Sequence, residues 1–227
     1  MLADVRFLNP VRALHFCWGQ TYNPVQVNLW ETRLLPVGRM SESLRGQYLI
    51  AGRALRDQNF FKTVVLIVEH GPQQAMGLVI NRPSSVTVAH ALSEHFKLPE
   101  TEDLVFVGGP VEPSNLFIVH NAGDLDENES PVVPDVYVGS SPGVFERVVG
   151  SSQSNPDLRF RIFCGCAGWG PQQLEQELER GDWHLHEADC KSVFHENPYE
   201  VWELLLEQLS SANTFLPSAR PQRPEWN

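Results

Sequence analysis

Short apolar runs separated by turn residues occupy the middle of the chain and predict antiparallel strands. Residues 47–51 (QYLIA) form one such run. Residues 63–69 (TVVLIVE) form a second, rich in β-branched side chains, as expected of a strand that is covered on both faces. A turn-like segment at residues 71–74 leads into a third run at 75–81 (AMGLVIN), so residues 63–81 are predicted to form an antiparallel hairpin.

Shorter apolar segments predict five more strands, at residues 104–107, 116–120, 136–138, 158–164 and 183–187. Within residues 158–164, apolar side chains alternate with polar ones, and Arg159 and Arg161 lie on the polar side. This alternation is typical of a half-exposed strand, so we expect one face of this strand to lie in water.

Capping residues and helical spacing predict four helices, which begin at Ser84 or Ser85, at Ser141-Pro142, at Pro171 and at Asn197-Pro198. The first is expected to continue to about residue 96. The third covers residues 172–180, and Gly181 ends it. In the last helix, the predicted buried stripe consists of Val201, Leu204, Leu205 and Leu209.

Hairpins interleaved with helices predict an α+β domain rather than a doubly wound parallel sheet. We expect residues 40–217 to form this single globular domain and residues 218–227 to be a disordered tail. Residues 1–39 lack a sustained period of 2 or 3.6 and contain separated prolines, so we expect them to be an extension that is disordered or precedes a natural start at Met40.

Composition and charge exclude several classes of protein. The chain has 227 residues, 42% of them hydrophobic, and no apolar run long enough to span a bilayer, so we expect no membrane insertion. Its net charge is −11; residues 1–39 carry +2 and residues 40–227 therefore −13, which disfavours direct contact with nucleic acid. Four cysteines and the lack of a secretion signal favour the cytoplasm.

Three cysteines and two histidines invite a metal-site interpretation: Cys164, Cys166, His184, His186 and Cys190. The spacing is unfavourable, because zinc-binding pairs are usually separated by at least two residues, whereas Cys164 and Cys166 are expected to share one face of a strand. We therefore interpret the cysteines as small buried side chains and the histidines as partly exposed ones. We expect neither a metal nor a cofactor.

Histidines at strand ends raise the alternative of catalysis. Glu69 and His70 end one strand and His120 ends another, where a histidine and a carboxylate could perform acid–base chemistry. No recognisable nucleophile accompanies them, and neighbours on a strand face opposite sides, so Glu69 and His70 are not expected to act together. Whether the protein is an enzyme stays open, and the sequence favours the negative answer.

Two glycine-rich runs also follow strands. Gly108-Gly109 precedes a proline, and residues 165–170 (GCAGWG) lead into a predicted helix, whose N-terminus could attract an anion. Neither run has the spacing of a P-loop or of a dinucleotide-binding fingerprint. Tight turns and close backbone packing are therefore the main interpretation of these glycines.

Four motifs, in this order and spacing, closely resemble the YqgE/AlgH family of bacterial proteins: Glu69-His70, residues 75–83 (AMGLVINRP), residues 108–111 (GGPV) and residues 167–169 (AGW). The QLEQEL pattern at 173–178 and Trp183 extend the resemblance, which covers about residues 44–209. It implies a compact fold with a partly closed sheet, a cytosolic location and no assigned biochemical activity. One member's link to the regulation of alginate synthesis does not establish DNA binding. Cys166 departs from the pattern, where tyrosine is usual.

The leading hypothesis is a non-catalytic regulatory module that binds a small molecule or a protein. Its candidate binding residues follow strand ends, where loops assemble sites: Asn81, Arg82, Gly108, Gly109, Pro110, Gly168 and Trp169. The alternative is an enzyme that acts on a small anionic substrate through Arg82 or His120. Direct control of transcription is the third hypothesis, and the negative charge of the domain argues against it. The sequence leaves the ligand and the oligomeric state open.

Overall fold

The computed structural model describes residues 43–93, 102–123, 125, 130–152 and 154–214. The predicted extension at 1–39, the start at Met40 and the tail at 218–227 lie outside these residues. The domain boundaries therefore stay predictions.

A mixed sheet forms the centre of the protein, and it contains nine strands among the described residues: β1 (Gln47–Ala51), β2 (Val64–Gly71), β3 (Gln74–Val79), β4 (Pro83–Thr87), β5 (Leu104–Val107), β6 (Val111–His120), β7 (Tyr137–Gly139), β8 (Phe160–Trp169) and β9 (Trp183–Glu187). The helices of the described chain are α1 (Val88–Ala91), α2 (Pro142–Ser151), α3 (Gln173–Glu179), α4 (Cys190–Val193) and α5 (Val201–Thr214). None of these helices has the length and apolar character needed to cross a membrane.

Strand β8 pairs with three other strands, β3, β5 and β6. The order of the sheet is β4-β5-β8-β3-β2-β1-β9. Strand β6 pairs with β8 as well, and β7 pairs with β6. Only the β5–β8 pairing is parallel among these neighbours; the others are antiparallel. The expected α+β class with a mainly antiparallel sheet is confirmed, and β4 and β9 lie at the two ends of the path.

Local signals located the first hairpin correctly. Strands β2 and β3 pair antiparallel with Leu66 opposite Leu78, and the register shifts between Ile67 and Glu69. The first four residues of β2, Val64 to Ile67, are fully buried, as the continuous β-branched run predicts. Strands β1 and β9 have the predicted bounds and pair with each other.

The first predicted helix is largely wrong. Its first residues, up to Thr87, belong to β4 (Pro83–Thr87) instead, because Pro83 and Thr87 pair with Phe106 and Leu104 of β5. The helix that follows is only Val88–Ala91, and Thr87 caps it by accepting a hydrogen bond from the backbone N–H of His90. Residues 94–96 of the prediction lie outside the described residues. The pairing with β5 outweighs the local helical spacing.

The other predicted helices are confirmed, with one shifted start. Ser141 caps α2 and Pro142 is its first residue, and Gly181, at φ 77°, follows α3. Helix α5 begins only at Val201, because Asn197 and the two residues after it form a turn.

Two buried faces differ from the sequence expectation. At Arg161 the polar side of β8 is half-buried rather than open to water, because the guanidinium donates to the carbonyl oxygens of Val193 (2.7 Å) and His195 (2.5 Å). Burial lowers the pKa of Arg161 to about 10. In α5, Leu204 is 39% exposed, and Trp202 and Leu206 are buried in its place. In both cases, contacts distant in sequence decide what is covered.

Two hydrophobic clusters stabilise the fold. The larger combines β1, β2 and β3 with three tryptophans, Trp169, Trp183 and Trp202. The smaller lies under α2 and includes Phe145 and Ile162. The candidate site residues lie where β3, β5, β6 and β8 meet.

Candidate functional site

Asn81, just after β3, connects the end of β3 to the start of β2 through two side-chain hydrogen bonds. Its Oδ1 accepts a hydrogen bond from the backbone N–H of Val64 (2.9 Å), and its Nδ2 donates to the carbonyl oxygen of Lys62 (3.0 Å). The side chain is 6% exposed. Both functional groups of Asn81 therefore serve the fold in this structure.

Arg82 holds the loop that precedes β2. Its guanidinium donates to three carbonyl oxygens of that loop, those of Gln58 (3.1 Å), Asn59 (2.5 Å) and Phe61 (3.3 Å). Burial lowers the pKa of Arg82, and Asp57 acts in the opposite direction. These contacts fix the loop in a position that places Phe60 against the core.

Phe60 belongs to an aromatic cluster with Trp169 and Trp183. Its ring stacks on Trp169 at a centroid distance of 6.3 Å and meets Trp183 edge-on at 5.4 Å. The two indoles contact each other edge-on as well. Trp169, predicted as the wall of a groove, is 4% exposed and lies inside this cluster.

Glu177 of α3 connects both tryptophans. Its Oε2 accepts hydrogen bonds from the indole N–H groups of Trp169 (2.9 Å) and Trp183 (2.8 Å). Its other oxygen accepts from the side chain of Gln173 (2.9 Å). One carboxylate thus satisfies two buried indole donors, which would otherwise be costly to bury.

Glu175, on the same helix, pairs with His70. The distance from His70 Nε2 to Glu175 Oε1 is 3.2 Å. Leu174 is buried beneath the helix. The QLEQEL segment therefore attaches α3 to the sheet by several contacts, and the polar ends of Glu175 and Glu177 are part of that attachment.

Gly108, Gly109 and Gly165 form a tight junction of three backbones, which we call the glycine junction. A β-carbon on Gly108 would collide with the Gly165 carbonyl oxygen, and one on Gly109 would collide with the backbone of Cys166 and Ala167. Gly165 has a φ of 68° and is packed against the Gly109 carbonyl. Close packing of the three backbones leaves no room for a side chain at these positions.

A small apolar surface lies beside the glycine junction. Val107 and Val111, on either side of the glycines, are each 37% exposed, and Pro110 is exposed between them. The position of a Gly168 β-carbon would lie 3.5 Å from Val111 Cγ2, so exposed Gly168 faces this surface. We call Val107, Pro110, Val111 and Gly168 the exposed apolar surface.

The seven predicted binding residues thus fall into two groups. Gly108, Gly109, Pro110 and Gly168 come together around the junction. The polar groups of Asn81, Arg82 and Trp169 instead bond within the fold. Ligand binding by any of the seven stays a prediction.

Arg82 and His120 do not form a common centre. Pro83, next to Arg82, pairs with β5; β5 pairs with β8, and His120 lies on β6 beyond it, opposite Phe160. Three strand spacings correspond to about 14 Å. His120 is fully buried and stacks on Tyr137 at 5.6 Å. The two residues therefore offer no joint site for an anionic substrate.

The cysteines and histidines do not gather as metal ligands in the described part of the chain. Among those residues, no group of three or more potential ligands lies close enough to hold a metal ion. Cys164 packs against the smaller hydrophobic cluster and Cys166 within the larger. The expected shared face is wrong, because Gly165 in the left-handed region interrupts the strand alternation. Burial raises the pKa of Cys166 to about 11.

Sequence reasoning missed four residues that the geometry makes important: Phe60, Glu177, Val107 and Val111. Glu177 and Trp183, six residues apart, were noticed as part of the family pattern, but the sequence did not predict the hydrogen bond between them. In the sequence, Val107 ends a predicted strand and Val111 lies in the segment between two predicted strands, although β6 begins at Val111. Neither position shows whether another element covers the side chain. Only the packing of distant segments shows which of these four side chains is buried and which is exposed.

The fold and the site define an α+β protein whose motif residues mostly stabilise a junction of strands. A family profile described as AlgH-like matches residues 48–213, and the chain belongs to this family. The resemblance inferred from the four motifs is confirmed.

Individual relatives agree with this assignment. A UPF0301 protein of Myxococcus xanthus is 36% identical over 161 residues, which are 70% of this chain and 86% of the relative. A UPF0301 protein of a Marinomonas species is 35% identical over 159 residues, which are 68% and 82% of the two chains. Neither name states an activity.

Solved structures show the same fold. The solution structure of the AlgH protein of Pseudomonas aeruginosa is 28% identical, with a TM-score of 0.57 over 84% of this chain and all of that chain (100%). A crystal structure of a Corynebacterium diphtheriae protein gives a TM-score of 0.59 at 24% identity, covering 74% of this chain and 87% of that one. The latter similarity concerns the fold alone.

Proposed function

We propose that this protein is a non-catalytic regulatory module, which binds a partner protein through the exposed apolar surface. The observation that carries the proposal is the exposure of Val107, Pro110 and Val111 in one turn beside Gly168. Apolar side chains grouped on a surface favour association, because binding removes them from water.

The polar residues of the motifs support a role other than catalysis. Asn81 bonds two backbone groups, and the Arg82 guanidinium is directed at three loop carbonyls. Trp169 donates its indole N–H to Glu177. These groups would have to leave their partners before they could act on a substrate.

The shape of the surface suits a flat contact. Gly168 has no side chain, and across the strands it is paired with half-buried Met76. Paired residues on neighbouring strands lie on the same face, so the exposed part of Met76, which also packs against the larger hydrophobic cluster, extends the apolar area. Because a thioether side chain adapts its shape readily, this edge of the surface can fit varied partners.

Two carboxylates at the rim indicate the chemistry of the partner. Glu69 is paired with Met76, and Glu112, whose carboxylate also accepts a hydrogen bond from the side chain of Asn115, follows Val111 directly. Burial raises the pKa of Glu69, whereas Arg45 lowers it. With a net charge of −13 on residues 40–227, these carboxylates favour an apolar protein segment flanked by lysine or arginine, and they disfavour nucleic acid.

We also propose that the protein acts in the cytosol. Cys164, Cys166 and Cys190 are free thiols in the structure, as suits a reducing compartment. Any link to gene expression would then pass through the bound protein.

Binding can be tested with two sets of short peptides that share apolar centres, one flanked by lysine and the other by glutamate. Amide chemical shifts of the labelled full-length protein report the contact, and we expect lysine-flanked peptides to shift Val107, Val111 and Gly168. Gly168→Arg should abolish this effect through steric and charge repulsion. Gly150→Arg is the matched control, because a β-carbon at exposed Gly150 meets nothing within 4 Å.

Two results would contradict the proposal. One is an equal response to lysine- and glutamate-flanked peptides at residues far from this surface. The other is unchanged binding by Gly168→Arg. A small molecule that raises the melting temperature and shifts the amides around Arg82 instead would favour a ligand site.

A further inference from the structure

The loop between β1 and β2 carries a positive charge on a protein that is negative overall. Residues 53–62, which we call the basic loop, contain three cations and one carboxylate, so their net charge is +2, whereas residues 40–227 together carry −13. The three cationic residues, all exposed, are Arg53, Arg56 and Lys62. The charge of this loop is thus opposite to that of the carboxylates beside the exposed apolar surface.

The three cations of the basic loop lie close together. The Lys62 Nζ is 4.9 Å from the centroid of the Trp202 ring, and the Arg53 Cζ is 5.8 Å from the same centroid. The Arg56 guanidinium donates to the carbonyl oxygen of Arg53 (3.0 Å), which places the third charge beside them. Trp202 is buried and donates its indole N–H to the carbonyl oxygen of Ala51 (2.8 Å). A ring fixed in this way attracts both cations and keeps the positive charges together.

Two carboxylates near these cations offset their charge only in part. Asp57 Oδ1 accepts a hydrogen bond from the backbone N–H of Asn59 (2.7 Å), within the turn of the loop. Glu203 of α5 lies 3.3 Å from the Lys62 Nζ, and the two side chains are 66% and 49% exposed. Such an exposed pair contributes little, so the carboxylate of a partner can replace Glu203 or join it. Among the described residues, neither arginine of the basic loop forms an ion pair.

An exposed aromatic side chain, Phe61, lies next to Lys62 and is 46% exposed. The backbone of both residues is held from outside the loop: Arg82 donates to the Phe61 carbonyl (3.3 Å), and Asn81 Nδ2 donates to the Lys62 carbonyl (3.0 Å). Lys62 has a φ of 53°, in the left-handed region that residues with side chains rarely adopt. The polar residues of the AMGLVINRP motif therefore hold in place an apolar and a positive side chain that both face solvent.

We propose that the basic loop binds an acidic segment of a partner protein, and that this segment carries an apolar side chain between its carboxylates. The carboxylates contact the three cations, and the apolar side chain covers Phe61, which binding removes from water. The basic loop shares no residue with the exposed apolar surface, and it takes a partner of the opposite charge. This inference does not depend on the proposed function, and together the two give a protein that binds two different segments.

The features of the loop favour a short acidic segment over other anions. A nucleic acid extends beyond the basic loop, over a protein whose net charge repels its phosphates. A small anion such as phosphate uses the cations and leaves Phe61 in water. An acidic segment with an apolar side chain uses both, and its few charges stay within reach of the loop.

Titration of the isotope-labelled full-length protein with three short peptides, followed by amide chemical shifts, tests the proposal. The peptides carry glutamates around a leucine, glutamates around a serine, and lysines around a leucine. We expect the glutamate–leucine peptide to shift the amides of residues 53–62, with an affinity that falls as salt is added. The glutamate–serine peptide should bind about fivefold more weakly, because Phe61 stays uncovered. The lysine–leucine peptide should not shift these amides, so this proposal and the proposed function can fail separately.

Charge reversal within the loop gives the second test. Arg56→Glu and Lys62→Glu should each raise the dissociation constant of the glutamate–leucine peptide about tenfold, since a repulsion replaces an attraction. The matched control is Lys191→Glu, at an exposed lysine of α4, which changes the net charge by the same amount and should leave binding within about twofold.

Four results would overturn the proposal. The first is the absence of shifts in the basic loop with the glutamate–leucine peptide, and the second is equal affinity for the glutamate–serine peptide. The third is an effect of Lys191→Glu as large as that of the two loop variants. The fourth is inorganic phosphate or a single-stranded oligonucleotide that shifts the same amides at a lower concentration than the peptide does, because the loop would then be a site for phosphate groups.

Discussion

Gly168 and Trp169 are neighbours on β8, but they belong to two different regions of the molecule. Trp169 points into the larger hydrophobic cluster, and its indole N–H is bonded to Glu177. Gly168 is exposed and faces Val111. The inner region, which also contains the glycine junction, fixes how the strands meet. The outer region is the exposed apolar surface. Adjacent positions of one motif can therefore have separate roles.

The difference follows from strand geometry and from packing. Successive side chains on a strand face opposite sides of the sheet, so neighbouring residues of one motif lie in two different environments. In the inner region, a substitution leaves buried hydrogen-bond donors unsatisfied or forces backbones apart, so it lowers the free energy of unfolding. In the outer region, a change alters what can bind. Substitutions that separate stability from binding therefore test this comparison.

Gly109→Ala should have the largest effect. Its β-carbon would collide with backbone atoms of Cys166 and Ala167, which cannot move without separating the strands. We expect the free energy of unfolding to fall by about 3 kcal/mol or more, measured by urea denaturation. The control is Gly150→Ala in α2, where nothing lies within 4 Å and alanine favours the helix. Equal stability of the two variants would mean that the glycine junction is not tight.

Glu177→Ala should have the next largest effect. It removes the acceptor of two buried indole donors, those of Trp169 and Trp183. We expect a loss of about 2–3 kcal/mol in the free energy of unfolding, together with a change in tryptophan fluorescence. Glu177→Gln keeps an acceptor oxygen and should lose less. The exposed Glu179, at the end of the same helix, supplies the matched control Glu179→Ala, for which almost no loss is expected. A comparable loss in both alanine variants would contradict the role of Glu177.

Local patterns predicted most of the fold because the strands of the larger cluster have clear apolar runs. Strand β4 was not predicted, since its pairing with β5 depends on residues about twenty positions away. The same limit applies to the site. Asn81 and Arg82 were recognised as important polar residues, but their partners are backbone groups 17 to 24 positions earlier in the chain. A sequence shows that such a side chain needs a partner, and only packing shows that the fold supplies it.

The exposure of Val107 and Val111 could not be predicted for a related reason. Both residues have the character of buried strand residues, and both are 37% exposed. Leu204 in α5 shows the same limit, since helical spacing alone placed it in the buried stripe. Periodicity identifies a face that can be buried. Whether that face is covered depends on which other elements pack against it.

Gly168→Ala should have the smallest effect on stability, and this makes it the sharpest test of the boundary between the two regions. Its β-carbon would meet only Val111 Cγ2, at an ordinary contact distance of 3.5 Å. We expect the free energy of unfolding to change by no more than about 0.5 kcal/mol in urea denaturation, in contrast to Gly109→Ala. A loss as large as that of Gly109→Ala would place Gly168 in the inner region. The exposed apolar surface would then lack the residue that makes it flat, and binding there would have to rest on the valines and Pro110 alone.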